Sequence, residues 1–408
     1  MDIALQKSKI ANQSFIKITG SKSESNRLLL LKSLFLNLSI ENISNSDDSV
    51  LMTKALNSDS NLVDIHHAGT AMRFLTAYFS IQEGSEVVLT GSQRMQERPI
   101  KILVDALRDL GAEITYETNE GYPPIRIKGK KLTKNKVELA ANVSSQYISA
   151  LLLIASRLEQ GLELTLNGQI TSTPYIKMTL SLLEEVGVKT SFEGNTITIF
   201  TVEKVQSKTL VVESDWSSAS YFYSIVALSE IGTEITLSAY KENSLQGDSV
   251  LVTIYKDMGV ETKFHNNQIT LTKSANCQLP SVNYDLTNAP DIAQTIAVTC
   301  VGLGVGCHLT GLHTLKIKET DRLVAPKTEI EKFGTSVEIT DKTLTIDKVS
   351  SYNSNVSVDT YHDHRMAMAF APLALRIGFT INEADVVSKS YPDFWEDLQN
   401  IGFSFTQS

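Results

Sequence analysis

The chain predicts an α/β or α+β protein of two or three domains, built by repeating one unit of two helices and about four strands. Three observations carry this. At 408 residues the chain exceeds one ordinary core. A glycine phrase ends five amphipathic helices: Asp-Leu-Gly-Ala at Gly111, Glu-Val-Gly-Val at Gly187, Asp-Met-Gly-Val at Gly259, Lys-Phe-Gly-Thr at Gly334 and Asn-Ile-Gly-Phe at Gly402. A helix-opening phrase recurs with the same period of roughly 70–75 residues, starting at Ala68, Ser144, Trp216, Ala289 and Asp363.

The first predicted element is a strand, Ser14–Thr19, which runs into Gly20-Ser21-Lys22-Ser23-Glu24-Ser25-Asn26-Arg27 and a Leu-rich helix. The next stretch, Asp47 to Ala68, has room for one helix and little more, so the first repeat is short. From Ala68 onward each polar opening starts a helix that is apolar nearly all round and belongs inside its domain. Alternating strands follow, such as Val87–Leu89 and Ile235–Leu237, and each later helix stops at a C-capping Gly. The Gly302-x-Gly304-x-Gly306 run misses dinucleotide-binding spacing and reads as a turn between helix and strand. Close to six units fill the chain, with no Pro- or Gly-rich linker between them.

Composition narrows the function. Hydrophobic residues make up 42% and charged residues 20%, the balance of a soluble globular protein. A net charge of −9 argues against nucleic acid or an anionic membrane as the main partner. The apolar runs, such as Ile148–Ala155, are too short to cross a bilayer, and Met-Asp-Ile begins no secretory leader. Cys277, Cys300 and Cys307 have neither metal nor redox spacing and fit a reduced cytoplasm.

Several segments have the chemistry of anion sites, because helix N-termini present free N–H groups and a positive dipole. Lys22 and Arg27 lie about a turn apart at such an opening, and Gly69 with Arg73 marks a second. Arg94 and Arg98 precede a helix with Pro near its first turn, which alone reads equally as a solvated face. In Lys318-Glu319-Thr320-Asp321-Arg322 the spacing puts Lys318 and Arg322 on one helix face beside acids, a pattern that surface ion pairs share. His362-Asp363-His364-Arg365 opens an apolar helix, with no further ligand spaced for a metal.

The order of Gly-Ser-Lys-Ser-x-Ser-Asn-Arg, Ala-Gly-Thr-Ala-Met-Arg, Arg-Met-x-Glu-Arg-Pro-Ile, Ser-Ser-Gln, Lys-Glu-Thr-Asp-Arg-Leu and Asp-His-Arg-Met-Ala-Met resembles the EPSP synthase family of enolpyruvyl transferases. The likeness runs over essentially the whole chain. It implies two similar globules, each of three βαβαββ-type repeats in a pseudo-threefold, inverse-barrel-like arrangement, with the active site in the cleft between them. Residues 1–19 with 215–408 would form one and 20–214 the other.

The reaction implied transfers the enolpyruvyl group of phosphoenolpyruvate to the 5-hydroxyl of shikimate 3-phosphate by addition and elimination, in a cytoplasmic monomer needing no metal or organic cofactor. By the same resemblance, Lys22, Gly69, Arg98, Gln146, Arg322, Arg365 and Lys389 meet phosphoenolpyruvate. Lys22, Ser23, Arg27, Ser144, Ser145, Gln146, Ser172, Tyr175, Asp291 and Lys318 meet shikimate 3-phosphate. Glu319 serves the methylene carbon, Asp291 the attacking hydroxyl and Lys22 the departing phosphate, with His67, Arg73 and His364 as further pocket residues. So many cations imply repulsion in the empty pocket, and closure when anions bind.

The chain departs from the family pattern at His67, where Asn is usual, at Phe74, where Pro is usual, and in the short stretch between Asp48 and Ala68. One rival is the enolpyruvyl transferase acting on UDP-N-acetylglucosamine, which carries a Cys in its earlier-numbered globule; here none precedes Cys277. A non-catalytic anion-binding protein on the same fold is the other, and it would be signalled by loss of Lys22, Asp291 or Glu319, all of which are present.

Overall fold

A computed structural model describes residues 1–168, 170 and 173–408. The chain divides into two compact units, Gly20–Val212 and Met1–Thr19 with Glu213–Ser408, each with its own apolar core. The later boundary lies at Glu213, two residues before the one the resemblance implies.

In the Gly20–Val212 unit, two repeats have the same sheet. Leu62–Asp64 pairs parallel with Glu86–Thr90, which pairs antiparallel with Ile125–Lys128, and that strand with Glu113–Tyr116. Lys136–Ala140, Leu162–Asn167, Thr196–Ile199 and Thr190–Glu193 repeat this order. Helices occupy the first two connections and a hairpin the last, which is the βαβαββ pattern. The third repeat keeps only its parallel pair, Lys208–Val211 against Leu38–Glu41. After its helix Asp47–Leu56 the chain passes directly into Leu62–Asp64, so the short first repeat lacks the hairpin.

The other unit has three four-stranded sheets of the same order. In the last of them Ile3–Leu5, from the start of the chain, lies between Phe379–Ile381 and Phe405–Gln407. The crossings between units also exchange helices. Strand Ser14–Ile16 belongs to one unit but is followed by helix Lys22–Leu34 of the other. Strand Lys208–Val211 is followed in the same way by Trp216–Ala227. That first strand is shorter than Ser14–Thr19, because its ladder partner, Glu234–Ser238, meets it at Ser14, Phe15 and Ile16.

Glycines at 111, 187, 259, 334 and 402 all have φ between 82° and 111°. This is the left-handed turn after a helix end, which a Cβ would strain. The Gly302–Gly306 run is not one turn. Gly302 is inside helix Ala293–Leu303, with Leu228 pressed against its Cα, Gly304 is the left-handed cap, and Gly306 starts a strand.

Helices apolar all round are buried as their composition requires. Gly69–Ser80 and Ser145–Ala155 pack together in one unit, and both also meet Lys22–Leu34, whose first half is polar. In the other, Ala293–Leu303 packs against Trp216–Ala227 and His364–Phe370. Among the described residues no helix is long and apolar enough to cross a membrane.

Candidate functional site

In the unit that holds both termini, the first turns of the central helices meet. Pro290–Ile292 is a 3-10 turn leading into Ala293–Leu303, and it places Asp291. Asp363 caps the His364–Phe370 helix by accepting from the Arg365 N–H. Ser217 lies in the first turn of Trp216–Ala227.

The Lys318–Arg322 segment is not the helix its charge spacing predicts. Asp321 accepts from the N–H groups of Leu323 and Val324, so it caps the following helix, Val324–Glu331, and leaves residues 318–320 as bends. The bend carries Arg322 inward, and its backbone N–H donates to the Leu315 carbonyl.

Arg322, only 3% exposed, is the hub. Its Nε donates to Asp363 Oδ2 at 2.6 Å, Nη1 to Asp291 Oδ1 at 3.0 Å and Nη2 to Glu319 Oε2 at 2.7 Å. Lys318 Nζ lies 3.3 Å from Asp291 Oδ1, and Arg365 Nη2 lies 3.4 Å from Asp291 Oδ2. Arg365 also donates to the Asp291 carbonyl and to Ser217 Oγ, and Ser217 donates its own proton to Asp248.

The electrostatics follow from this geometry. Burial would push the Asp291 carboxyl up, but Lys318, Arg365 and Arg322 together outweigh it and hold the group well below the usual carboxylate range. Burial, then Asp291, raises Asp248 to about 7. Burial would lower Arg322, yet Asp363 and Glu319 lead the charges that raise it overall. Hence the cations here are already neutralised by Asp291, Glu319 and Asp363.

Lys389 and His364 sit beside this hub rather than in it. Lys389 Nζ donates to the His362 carbonyl at 2.7 Å, and buried His364 lies 3.7 Å from Asp363. His362 is 3.2 Å from Glu383. Among the described residues no group of three or more His, Cys, Asp or Glu could hold a metal.

The Gly20–Val212 unit treats its cations differently. Arg27, 2% exposed, donates from Nε to Thr179 Oγ1 at 2.8 Å, from Nη1 to the Ser23 carbonyl at 2.7 Å and from Nη2 to Ser149 Oγ at 2.9 Å. The Tyr175 carbonyl lies 3.5 Å from Nη2. No carboxylate pairs with it among the described residues, and burial lowers its pKa to about 10. Arg73, also buried, donates to the Gly69 carbonyl at 3.0 Å and the Pro99 carbonyl at 3.4 Å, and its Nε has no partner among the described residues. Burial, then the neighbouring Arg98, lowers Arg73 to about 10.

Arg98 closes over Gly69, where a Cβ would come within 2.5 Å of its Nη1. A side chain at position 69 would therefore push aside the Arg98 guanidinium, the movable end of a long side chain. Arg94, by contrast, pairs with Glu97 on the surface. Gln146 Nε2 donates to Thr70 Oγ1, joining two helix N-termini, and Ser144 caps its helix by accepting from the Gln146 N–H, with Ser145 in the first turn. Lys22 and Ser23 open helix Lys22–Leu34, half-buried. His67 pairs with His66 through their Nδ1 atoms at 2.8 Å, and its Nε2 lies 3.4 Å from Asp47 without hydrogen-bonding among the described residues. Ser172 lies outside the described residues.

Sequence reasoning passed over Asp363, Asp248, Ser217, Ser149 and Thr179. Asp363 had a signal, a polar residue opening an apolar helix beside Arg365. The rest come from distant segments and look locally like ordinary helix residues.

A model of the EPSP synthase (3-phosphoshikimate 1-carboxyvinyltransferase) family matches residues 55–398. A 3-phosphoshikimate 1-carboxyvinyltransferase of Bacteroides fragilis is 45% identical over 393 residues, covering 95% of each chain. One from Shewanella pealeana is 35% identical over 418 residues, covering 95% of this chain and 96% of that one. Among solved structures, EPSP synthase from Acinetobacter baumannii superimposes with a TM-score of 0.82 at 21% identity, over 100% of both chains. The enolpyruvyl transferase NikO from Streptomyces tendae gives 0.74 at 13% identity, over 100% of this chain and 99% of that one. At such identities the solved structures speak to the fold alone.

Proposed function

Because the chain belongs to the EPSP synthase (3-phosphoshikimate 1-carboxyvinyltransferase) family, we propose that it transfers the enolpyruvyl group of phosphoenolpyruvate to the 5-hydroxyl of shikimate 3-phosphate, releasing phosphate. The observation that carries this reading is the Arg322 hub. It holds a candidate base, Asp291, and a candidate acid, Glu319, against the same guanidinium, with Lys318 and Arg365 beside them.

Two phosphates and two carboxylates enter in this reaction, so the substrates compete with Asp291 and Glu319 for the cations. Arg98, Arg322, Arg365, Lys389, Gln146 and the Gly69 backbone take phosphoenolpyruvate; Ser23, Arg27, Ser144, Ser145, Ser172, Tyr175 and Lys318 take shikimate 3-phosphate. In the ligand-free protein Asp291 is too weak a base to be useful, because three cations stabilise its charge. Substrate anions that share those cations raise its proton affinity, and it then accepts the proton of the attacking 5-hydroxyl. Glu319 gives a proton to the methylene carbon on addition and takes it back on elimination, while Lys22 protonates the leaving phosphate. After the products leave, Asp291 loses its proton to solvent and Lys22 regains one, so the net change is the hydroxyl proton appearing on phosphate, and no redox step occurs.

The test is phosphate release from phosphoenolpyruvate, with shikimate 3-phosphate and UDP-N-acetylglucosamine offered in parallel. Turnover with shikimate 3-phosphate alone supports the assignment; turnover with the sugar nucleotide, or with neither, overturns it. We further propose a cytoplasmic monomer, which a single peak of 44.9 kDa in light scattering would support and a dimer mass would refute.

A further inference from the structure

Arg27 shares with buried Arg73 and Lys273 the lack of a carboxylate partner among the described residues; what sets it apart is the hydrocarbon ring beside it. Its Cζ lies 5.4 Å from the centroid of the Phe74 ring and 6.0 Å from that of Tyr175. Phe74 is fully buried on the Gly69–Ser80 helix, immediately after Arg73. Of the five guanidinium N–H groups, four reach neutral acceptors: Nε one, Nη1 one and Nη2 two. One Nη1 hydrogen has no partner among the described residues. The groups in direct contact with the charge are hydroxyls, carbonyls and ring faces, while Tyr175 and Glu24 attract it without offsetting the effect of burial.

We propose that Phe74 is a positioning residue for shikimate 3-phosphate, whose ring holds the Arg27 guanidinium in place and leaves its charge for the substrate anion. The proposal rests on the reading that Arg27 meets this substrate. A carboxylate at the same place would hold Arg27 equally well but would compete with the ligand. A ring face supplies only a cation–π attraction, which strengthens when desolvated.

The experiment is a double-mutant cycle read by the affinity for shikimate 3-phosphate and by the steady-state constants of the full chain. Phe74→Leu keeps the apolar volume and removes the ring. It should raise the Kd and KM for shikimate 3-phosphate roughly 5- to 30-fold, the span between an exposed and a desolvated cation–π contact, with kcat and the KM for phosphoenolpyruvate within about 2-fold. In an Arg27→Gln background the same substitution should have no further effect on that affinity. Phe74→Met serves as a second ring-free variant if Phe74→Leu folds poorly. Equal losses in both backgrounds, or parallel changes in both KM values, would mean a packing role only and would overturn the proposal. An Arg27→Gln protein that binds shikimate 3-phosphate normally would instead locate the failure in the assignment of Arg27 itself.

Discussion

Arg322 and Arg27 are both almost wholly buried guanidinium groups at helix openings, yet one is held by three carboxylates and the other by none. The charges around Arg322 raise its pKa overall, whereas burial lowers that of Arg27 to about 10. The contrast separates two ways of building an anion site. In the unit with both termini, the protein's own carboxylates occupy Lys318, Arg322 and Arg365. In the Gly20–Val212 unit, neutral acceptors and rings hold the cations and their charge remains unspent. The first arrangement suits groups that must move protons, and the second suits groups that only bind.

The comparison can be broken most directly through stability. Arg322→Gln leaves Asp291, Glu319 and Asp363 facing one another, and should cost roughly 3–5 kcal/mol, the usual result of unpairing buried charge. Arg27→Gln strands only neutral partners and should cost roughly 1–2 kcal/mol. Urea unfolding of both variants measures the difference, and equal losses would erase the distinction.

Catalysis sharpens it next. Glu319 is the most open carboxylate of the hub, at 33% exposure against 14% for Asp291 and none for Asp363. It is therefore the one best placed to exchange a proton. Glu319→Gln should bind both substrates and lose at least roughly two orders of magnitude in turnover. Near-normal turnover would remove Glu319 from the mechanism.

A smaller effect concerns pH. Because burial and then Asp291 raise Asp248 to about 7, the native chain holds an extra proton there between about pH 4 and pH 7. Stability therefore falls as pH rises across that window. Asp248→Asn removes this loss, so its stability relative to the parent should climb with pH, by at most ~1.4 kcal/mol per unit. A difference that stays constant from pH 4 to pH 8 would show that Asp248 is ionised throughout.

The least change is expected at His67. Its ring pairs with His66 and lies 3.4 Å from Asp47, so His67→Asn should alter the KM for phosphoenolpyruvate by no more than about 2-fold, as for most substitutions of partly exposed side chains. A tenfold change would move His67 from the edge of the anion site into it.

Much of this molecule is legible along the chain, because the controlling forces are local. Helix ends at Gly111, Gly187, Gly259, Gly334 and Gly402 follow from a left-handed turn that only Gly adopts cheaply, and the buried helices follow from apolar faces with no polar side. The missing hairpin of the first repeat is visible as missing residues between Asp48 and Ala68. The resemblance also brought Asp291, Glu319, Arg322 and Arg365 forward as candidates.

What tertiary structure alone decided is how each charge is balanced. Residues 318–322 read as a helix face by spacing, but the Asp321 cap and the Asp291 and Asp363 carboxylates turn them into a bend around Arg322. Phe74 looks like one more core residue until its ring is found against Arg27, 47 positions earlier in the chain. Propensity and capping act over a few neighbouring residues, and so they can be read in order. The partner of a buried charge is chosen by packing between distant segments, and no local pattern records it.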